Sequence, residues 1–467
     1  MRSSAAVLLL ALAPLAVQAA ATITIVNGDP AGKGFNDPRP VDPVGGNPGN
    51  TLGQQRQNAF QAAADKWGAT LNSPVPIRVL ATWDSLSCTS TTAVLGSASA
   101  TEIFRDFKTA PKTGTWYNKA LANALEGVDL DPRTADIRAR FNVNLGNPGC
   151  FDGTSFYLGL DGNHGLNVDL VTVLTHEFGH GMGFQTFTDG ASGAQFDGFP
   201  SIWDYFLLDT TSGLTWNQMT DDQRAASAQK NGKLVWNGTN VNTAAMNQLW
   251  WGTPSLQVSQ PDSVAGSYSV GTASFGPTLA NPGVFAEVAT FVDTDPGLAL
   301  ACNPLSRANA TAVAGKIALV DRGVCTFVTK AAYLQAAEAL GIIVADNVAG
   351  SPPPGLGGDD PTILIPVVRI TQNDGAALKA AIAGGNGSVL ATLGVYPYQL
   401  QGADINSNVL MYAPSPYSGG SSISHFDISA FPNLLMEPNI SDDLTHEVTP
   451  PQDLTYMLLK DIGWPQN

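Results

Sequence analysis

Charge is scarce in this chain. Only 13% of its 467 residues are Asp, Glu, Lys or Arg, and they leave a formal net charge of −16. An acidic surface repels phosphate backbones and anionic lipid, so nucleic acid and membrane surfaces are poor partners. Histidine is rarer still, at five residues, and cysteine numbers four. No Cys-x-x-Cys spacing occurs, which argues against a cysteine-built zinc site. No short tandem repeat is present. Beyond the first two dozen residues no apolar run has the length of a membrane span.

What is plentiful is Gly, at 48 residues, and Pro, at 31. They favour strands and ordered loops over long surface helices. The length predicts two or three domains. The N-terminus has a basic Arg2, an apolar run from Ala5 to Val17, and small residues at Ala19, Ala20 and Ala21. That is the pattern of a secretory signal peptide over residues 1–19, cut after Val17-Gln18-Ala19 or at Ala21, and the Leu- and Ala-rich leader has a bacterial composition. An even cysteine count in an exported chain predicts disulfides. Proximity favours Cys88–Cys150 and Cys302–Cys325 among three possible pairings. A cysteine switch on a metal through Cys88 is the less favoured reading, because some thirty residues after the leader leave little room for a pro-segment.

Residues 22–50 are rich in turn signals. Periodicity then predicts a helix over Gln54–Trp67, strands over Val75–Trp83, Ile137–Leu145 and Phe156–Leu160, and a helix over Leu170–Met182. This describes an α+β lobe with a helix behind a sheet. Between Pro254 and Pro397 the texture changes, and histidine is absent. Strand patterns at Val284–Phe291, Ile317–Val320, Gly341–Ala345 and Ile363–Ile370 alternate with helical ones at Val328–Leu340 and Asp374–Ile382. A last helix is expected near Pro451–Asp461.

The helix over Leu170–Met182 contains His176-Glu177-Phe178-Gly179-His180. Histidines four apart share one helix face and can reach one ion, and neutral imidazole suits zinc. The intervening Glu177 lies beside the open coordination position, where a carboxylate can act as general base toward metal-bound water. Chance alone can produce this pattern on an exposed helix. Here the flanks are Val171, Val173, Leu174, Phe178 and Met182, so the helix should be buried, and buried histidines need a partner.

The third ligand is not local. Gly183 breaks the helix, and Thr186 stands where a third histidine would complete the compact His-Glu-x-x-His-x-x-Gly-x-x-His pattern. His164 falls in a turn-like segment. His446 falls in an acidic loop and is the main rival. His425 lies in Ser424-His425-Phe426-Asp427, shortly before Pro432-Asn433-Leu434-Leu435-Met436-Glu437-Pro438. A chain leaving sharply at Gly183 lets a ligand return from elsewhere, and Met436 is soft enough to floor a cluster of imidazoles. A carboxylate ligand is the weaker rival, since no Glu occurs between Glu177 and Glu287.

Taken together, His176–Phe184 and Ser424–Pro438 resemble the leishmanolysin family of metzincins. The resemblance implies that His425 is the third zinc ligand and that Met436 forms a Met-turn beneath the metal. Leu454–Trp464 is similar to that family's closing helix; Phe426 departs from its usual Trp. Within residues 254–397, Gly315–Gly323, Cys325-Thr326-Phe327, Leu340–Val344 and Ile365–Ile370 resemble a protease-associated (PA) domain. That likeness implies a β-rich, non-catalytic module, which a Cys302–Cys325 bridge would suit. Asp321-Arg322-Gly323 reads as a strand-ending turn. Asp293-Thr294-Asp295 and Asp359-Asp360 lack regular calcium-loop spacing and also read as turns.

The expectation is therefore an α+β, metzincin-like catalytic domain split by a PA domain. Its parts are a leader over 1–19, catalytic segments over 20–253 and 398–467, and the insert over 254–397. The function expected is that of a secreted zinc metalloendopeptidase acting on proteins or peptides, with one zinc on His176, His180 and His425. Two alternatives are carried: an exported PA-domain binding or adhesion protein, and a thermolysin-like peptidase with a carboxylate third ligand.

Overall fold

The computed structural model describes residues 20–293, 297–385 and 387–465. The expected leader lies outside these residues, as do Thr294 and Asp295. The chain forms two compact units. One is built from the chain up to Pro111, Asn118–Met182 and the segment from Gly463; the other comprises Lys112–Tyr117 and Gly183–Ile462.

The first unit centres on a four-stranded sheet. Its strands are β1 (Ile23–Asn27), β2 (Ile77–Asp84), β3 (Gly96–Ala100) and β4 (Ile137–Asn142), in the order β1-β2-β4-β3. β1, β2 and β4 run parallel, and β3 closes one edge antiparallel to β4. The two strands absent from the sequence reading are β1 and β3. The first lies in the segment read as turns, although its Thr-Ile-Thr-Ile alternation fits a strand; the second is made of small residues, which carry little strand signal. Conversely, the strand expected over Phe156–Leu160 shrinks to Phe156–Tyr157. In β2 the buried residues are Ile77, Val79, Ala81 and Trp83, every second position, so one face looks into the core.

Helix α1 (Leu52–Thr70) packs Phe60, Ala63, Ala64 and Trp67 inward, and Thr51 caps it by accepting from the Gln54 amide. Helix α2 (Leu170–Gly181) is capped by Asp169, whose carboxylate accepts from Val171 N at 2.9 Å. Apolar on nearly every side, α2 is buried along its length except at His180. The Trp67 indole donates to Thr175 O at 3.0 Å and joins the two helices. Gly181 permits the close approach of α2 to the sheet, since a Cβ there would meet Ile137 Cγ2 at 2.5 Å. A disulfide joins Cys88 to Cys150.

In the second unit an eight-stranded sheet dominates. Its strands are β5 (Trp251–Gln260), β6 (Gly266–Ser269), β7 (Gly271–Thr272), β8 (Val284–Ala289), β9 (Ile317–Asp321), β10 (Gly341–Ala345), β11 (Val367–Ile370) and β12 (Leu390–Leu400), ordered β6-β5-β12-β8-β9-β10-β11-β7. β8 through β11 are parallel neighbours. A short helix, Arg307–Val313, joins β8 to β9, and α3 (Phe327–Ala336) joins β9 to β10, in the manner of α/β units; α4 (Gln372–Gly384) leads from β11 to the antiparallel β12. The insert is thus mixed α/β rather than merely β-rich, because parallel strands need crossovers and the helical runs supply them. Alternate side chains of the central strands enter two different cores: Ala318, Val320, Ile342 and Val344 one, Ile317, Leu319, Ile343 and Ala345 the other. Burial on both faces explains their near-continuous apolar sequence. A second disulfide, Cys302–Cys325, lies here.

The rest of this unit is organised by tryptophans. Trp203, Trp216 and Trp236 are fully buried, and Trp203 packs against Trp236 with ring centroids 4.4 Å apart. The closing helix α5 (Thr455–Asp461) is shorter than the Pro451–Asp461 expected. Its last residue, Asp461, accepts from the Asn240 amide and the Trp236 indole. Among the described residues, no helix is long and apolar enough to cross a membrane.

Candidate metal centre

Helix α2 places His176 and His180 on one face, with their Nε2 atoms 3.2 Å apart and their rings nearly perpendicular at 81°. Two imidazole nitrogens this close converge on one point, and a cation there satisfies both. His425 completes the set: one ring nitrogen from each of His176, His180 and His425 lies within 4.8 Å of the others. Among the described residues this is the single group of three or more His, Cys, Asp or Glu side chains close enough to hold an ion. It is a His-rich cluster consistent with one catalytic zinc, and its donors are all imidazole, the set that suits zinc. His446, the rival ligand, is outside it, and so is any carboxylate. His164 is occupied in its own turn, with Nδ1 2.7 Å from Asn167 O.

Each ligand is held. Asn118 donates to Gly181 O at 2.8 Å, and the Trp464 indole to Met182 O at 2.7 Å, so the last carbonyls of α2 are satisfied. Gly183 then turns the chain at φ +116°, a value that side chains disfavour. His425 is buried, and its Nδ1 donates to Ser421 O at 2.7 Å. With that proton on Nδ1, Nε2 carries the lone pair a metal needs.

Glu177 is buried between the two helical histidines in sequence and lies against β3, where it accepts a hydrogen bond from the Ala98 amide. Burial is the largest influence on its carboxyl and pushes its pKa up to about 8; the Ala98 bond pulls the other way. A nearby cation opposes the same rise. Gly96 leaves room for it: a Cβ there would stand 3.2 Å from Glu177 Cγ and 2.9 Å from Phe141 Cε1. Gly96→Ala is therefore expected to cost about 1–3 kcal/mol of stability and to slow any hydrolysis by displacing Glu177. Ser97→Ala should leave stability within about 0.5 kcal/mol. Urea titration of the two variants checks this.

Met436 is fully buried, and its carbonyl accepts from the amide of Phe426, the residue after His425, at 2.8 Å. Two buried carboxyl groups shape its turn. Glu437 Oε1 accepts from Leu434 N and Asp453 Oδ2 from Leu435 N, each at 2.7 Å. Burial pushes Glu437 up to about 9 and Asp453 to about 6. No spacing or motif in the sequence marks either residue, nor Ser421. Only Asp204 left a local signal, the Ser201-x-x-Asp204 capping pattern. The acidic pairs read as turns cap backbone amides where they are described. Asp293 accepts from Leu300 N and Ala301 N, and Asp360 from Thr362 N.

A PA-domain family model matches residues 285–378. Among curated proteins, leucine aminopeptidase 2 of Arthroderma otae is 43% identical over 81 residues, 17% of this chain and 16% of that protein. The probable lipoprotein aminopeptidase LpqL of Mycobacterium tuberculosis is 34% identical over 115 residues, 24% of this chain and 20% of that protein. The chain thus spans a fifth or less of the length of these two relatives. Among solved structures, the zinc aminopeptidase BSAP of Bacillus subtilis aligns at 20% identity and a TM-score of 0.23, covering 34% of this chain and 36% of that one. An aminopeptidase from Aneurinibacillus sp. strain AM-1 aligns at 18% identity and 0.24, covering 42% of each. The chain carries a PA domain, and the curated relatives found are aminopeptidases. On that finding the likeness to leishmanolysin-like metzincins is withdrawn, and with it the metzincin-like catalytic fold and the metzincin endopeptidase activity.

Proposed function

We propose that this chain is a zinc-dependent peptidase, and that aminopeptidase action, the activity named for its curated relatives, is its mode of cleavage. The observation that carries the peptidase reading is the convergence of His176, His180 and His425 beside a buried Glu177. Bound there, zinc would polarise a substrate carbonyl and acidify water. The chain's own contribution is to fix three imidazoles and to place beside them the Glu177 carboxyl, a group able to take up and release a proton. Met436 floors the His425 side of the site. Residues 20–253 and 398–467 form the catalytic part in this reading, around an insert over 254–397. The two disulfides fit an oxidising compartment, so the protein is exported and its substrates are peptides or proteins met there.

The test uses purified protein, loaded with zinc or stripped by a chelator, on two substrate sets: aminoacyl chromogenic amides with a free α-amine, and the same sequences N-terminally blocked. Release from the unblocked set, lost on chelation and restored by zinc, is the expected result. Cleavage of blocked peptides alone overturns the aminopeptidase mode. No cleavage by the zinc-loaded protein overturns the peptidase reading and leaves a binding role for the PA domain.

A further inference from the structure

We infer that Asp204 is a positioning residue for the ligand His425, acting through Thr186 and Ser424; this rests on the zinc-site reading above. Asp204 belongs to a single helical turn, Ile202–Tyr205, and is completely buried. A buried carboxylate needs strong donors. Asp204 has three: Thr186 Oγ1 at 2.7 Å, Thr188 Oγ1 at 2.6 Å and Ser201 N at 2.8 Å. Two of them come from the segment that leaves the histidine helix, so the carboxylate fixes the path of that segment.

Thr186 passes the constraint on. Its hydroxyl, while donating to Asp204, accepts from Thr188 N at 3.0 Å, and its amide donates to Ser424 Oγ at 3.3 Å. Ser424 directly precedes His425. The same short turn grips the ligand loop a second time, because the Trp203 indole donates to Ile423 O at 3.1 Å. Ile423 has φ +65°, a left-handed conformation that costs a β-branched residue roughly 1–3 kcal/mol. It persists because both of its peptide groups are tied, its amide donating to Tyr412 O at 2.7 Å. Below it, Phe184 packs between Trp203 and Phe426, at 4.9 and 5.0 Å between ring centroids. One turn therefore holds both the exit from the first ligand pair and the loop that presents the third. Thr186, the residue that breaks the compact three-histidine pattern, braces the substitute ligand.

The experiment is a zinc titration against a chromophoric chelator, on the full chain and on Thr186→Val, Thr186→Ser, Asp204→Asn and His425→Ala. Thr186→Val keeps shape and amide but loses the hydroxyl. It should bind zinc about 10–100-fold more weakly, the span typical of outer residues that orient a ligand, and Thr186→Ser should restore parental affinity. In the double variant Thr186→Val/His425→Ala the threonine change should add no further loss, because the ligand it positions is gone. Zinc binding by Thr186→Val equal to a zinc-binding parent overturns the brace and leaves the site intact. A full additional loss in the double variant also overturns it, as a general structural effect. A parent chain that binds no zinc overturns the site and the brace together. If Asp204→Asn does not fold, the threonine pair still decides.

Discussion

His425→Ala is expected to empty the metal site. Two imidazoles from one helix remain, and zinc sites of the catalytic type use three protein ligands. The loss of affinity should exceed the roughly 10–100-fold seen on removing an orienting residue. Metal content after dialysis reads it directly, with His446→Ala as the control that keeps its zinc. The polypeptide itself should survive, because the hydrogen bond from the side chain to Ser421 O is of the kind worth about 1 kcal/mol. What disappears is the stabilisation that zinc confers on the parent, about 4 kcal/mol at a thousandfold excess over its dissociation constant. A His425→Ala protein that retained one zinc through dialysis would place the third ligand elsewhere.

Glu177→Gln should separate binding from turnover. Glutamine matches the carboxylate in shape and still offers an oxygen to the Ala98 amide, so the pocket keeps its form. It cannot take up and release a proton. Loss of a positioned proton-transfer group lowers rates by about 10²–10⁴. The expected outcome is a fall of that size in kcat, with KM and zinc content near those of the parent. Parental turnover by Glu177→Gln would remove the residue from the reaction.

The sequence makes the histidine helix legible because each of its signals is local: an apolar run, two histidines four residues apart, and a glycine exit at Gly183. The central strands of the inserted sheet are legible for the same reason, as short apolar runs such as Ile317–Val320. β3 is not, since Gly-Ser-Ala-Ser-Ala carries no apolar alternation, yet it brings Ala98 and Gly96 against Glu177. The support of His425 is invisible for another reason. Thr186 and Ser424 are 238 positions apart, and no spacing rule connects a backbone amide to a serine hydroxyl at that distance. The family likeness misled because metal-ligand motifs a few residues long specify a coordination set, and such sets recur on unrelated frames. The longer patterned segment matched by the PA model contains none of the three histidines.

One arithmetic property of the chain has a temporal meaning. His425 follows Gly183 by 242 residues, and the whole inserted sheet lies between them. At a synthesis rate of about 5–20 residues per second, roughly 10–50 s separate the appearance of the second ligand from that of the third. During that interval the growing polypeptide owns half a coordination sphere and no functioning centre. Premature termination anywhere within the insert yields a product that never acquires one. A cluster whose histidines flank the insert on both sides is complete only after the insert has been synthesised.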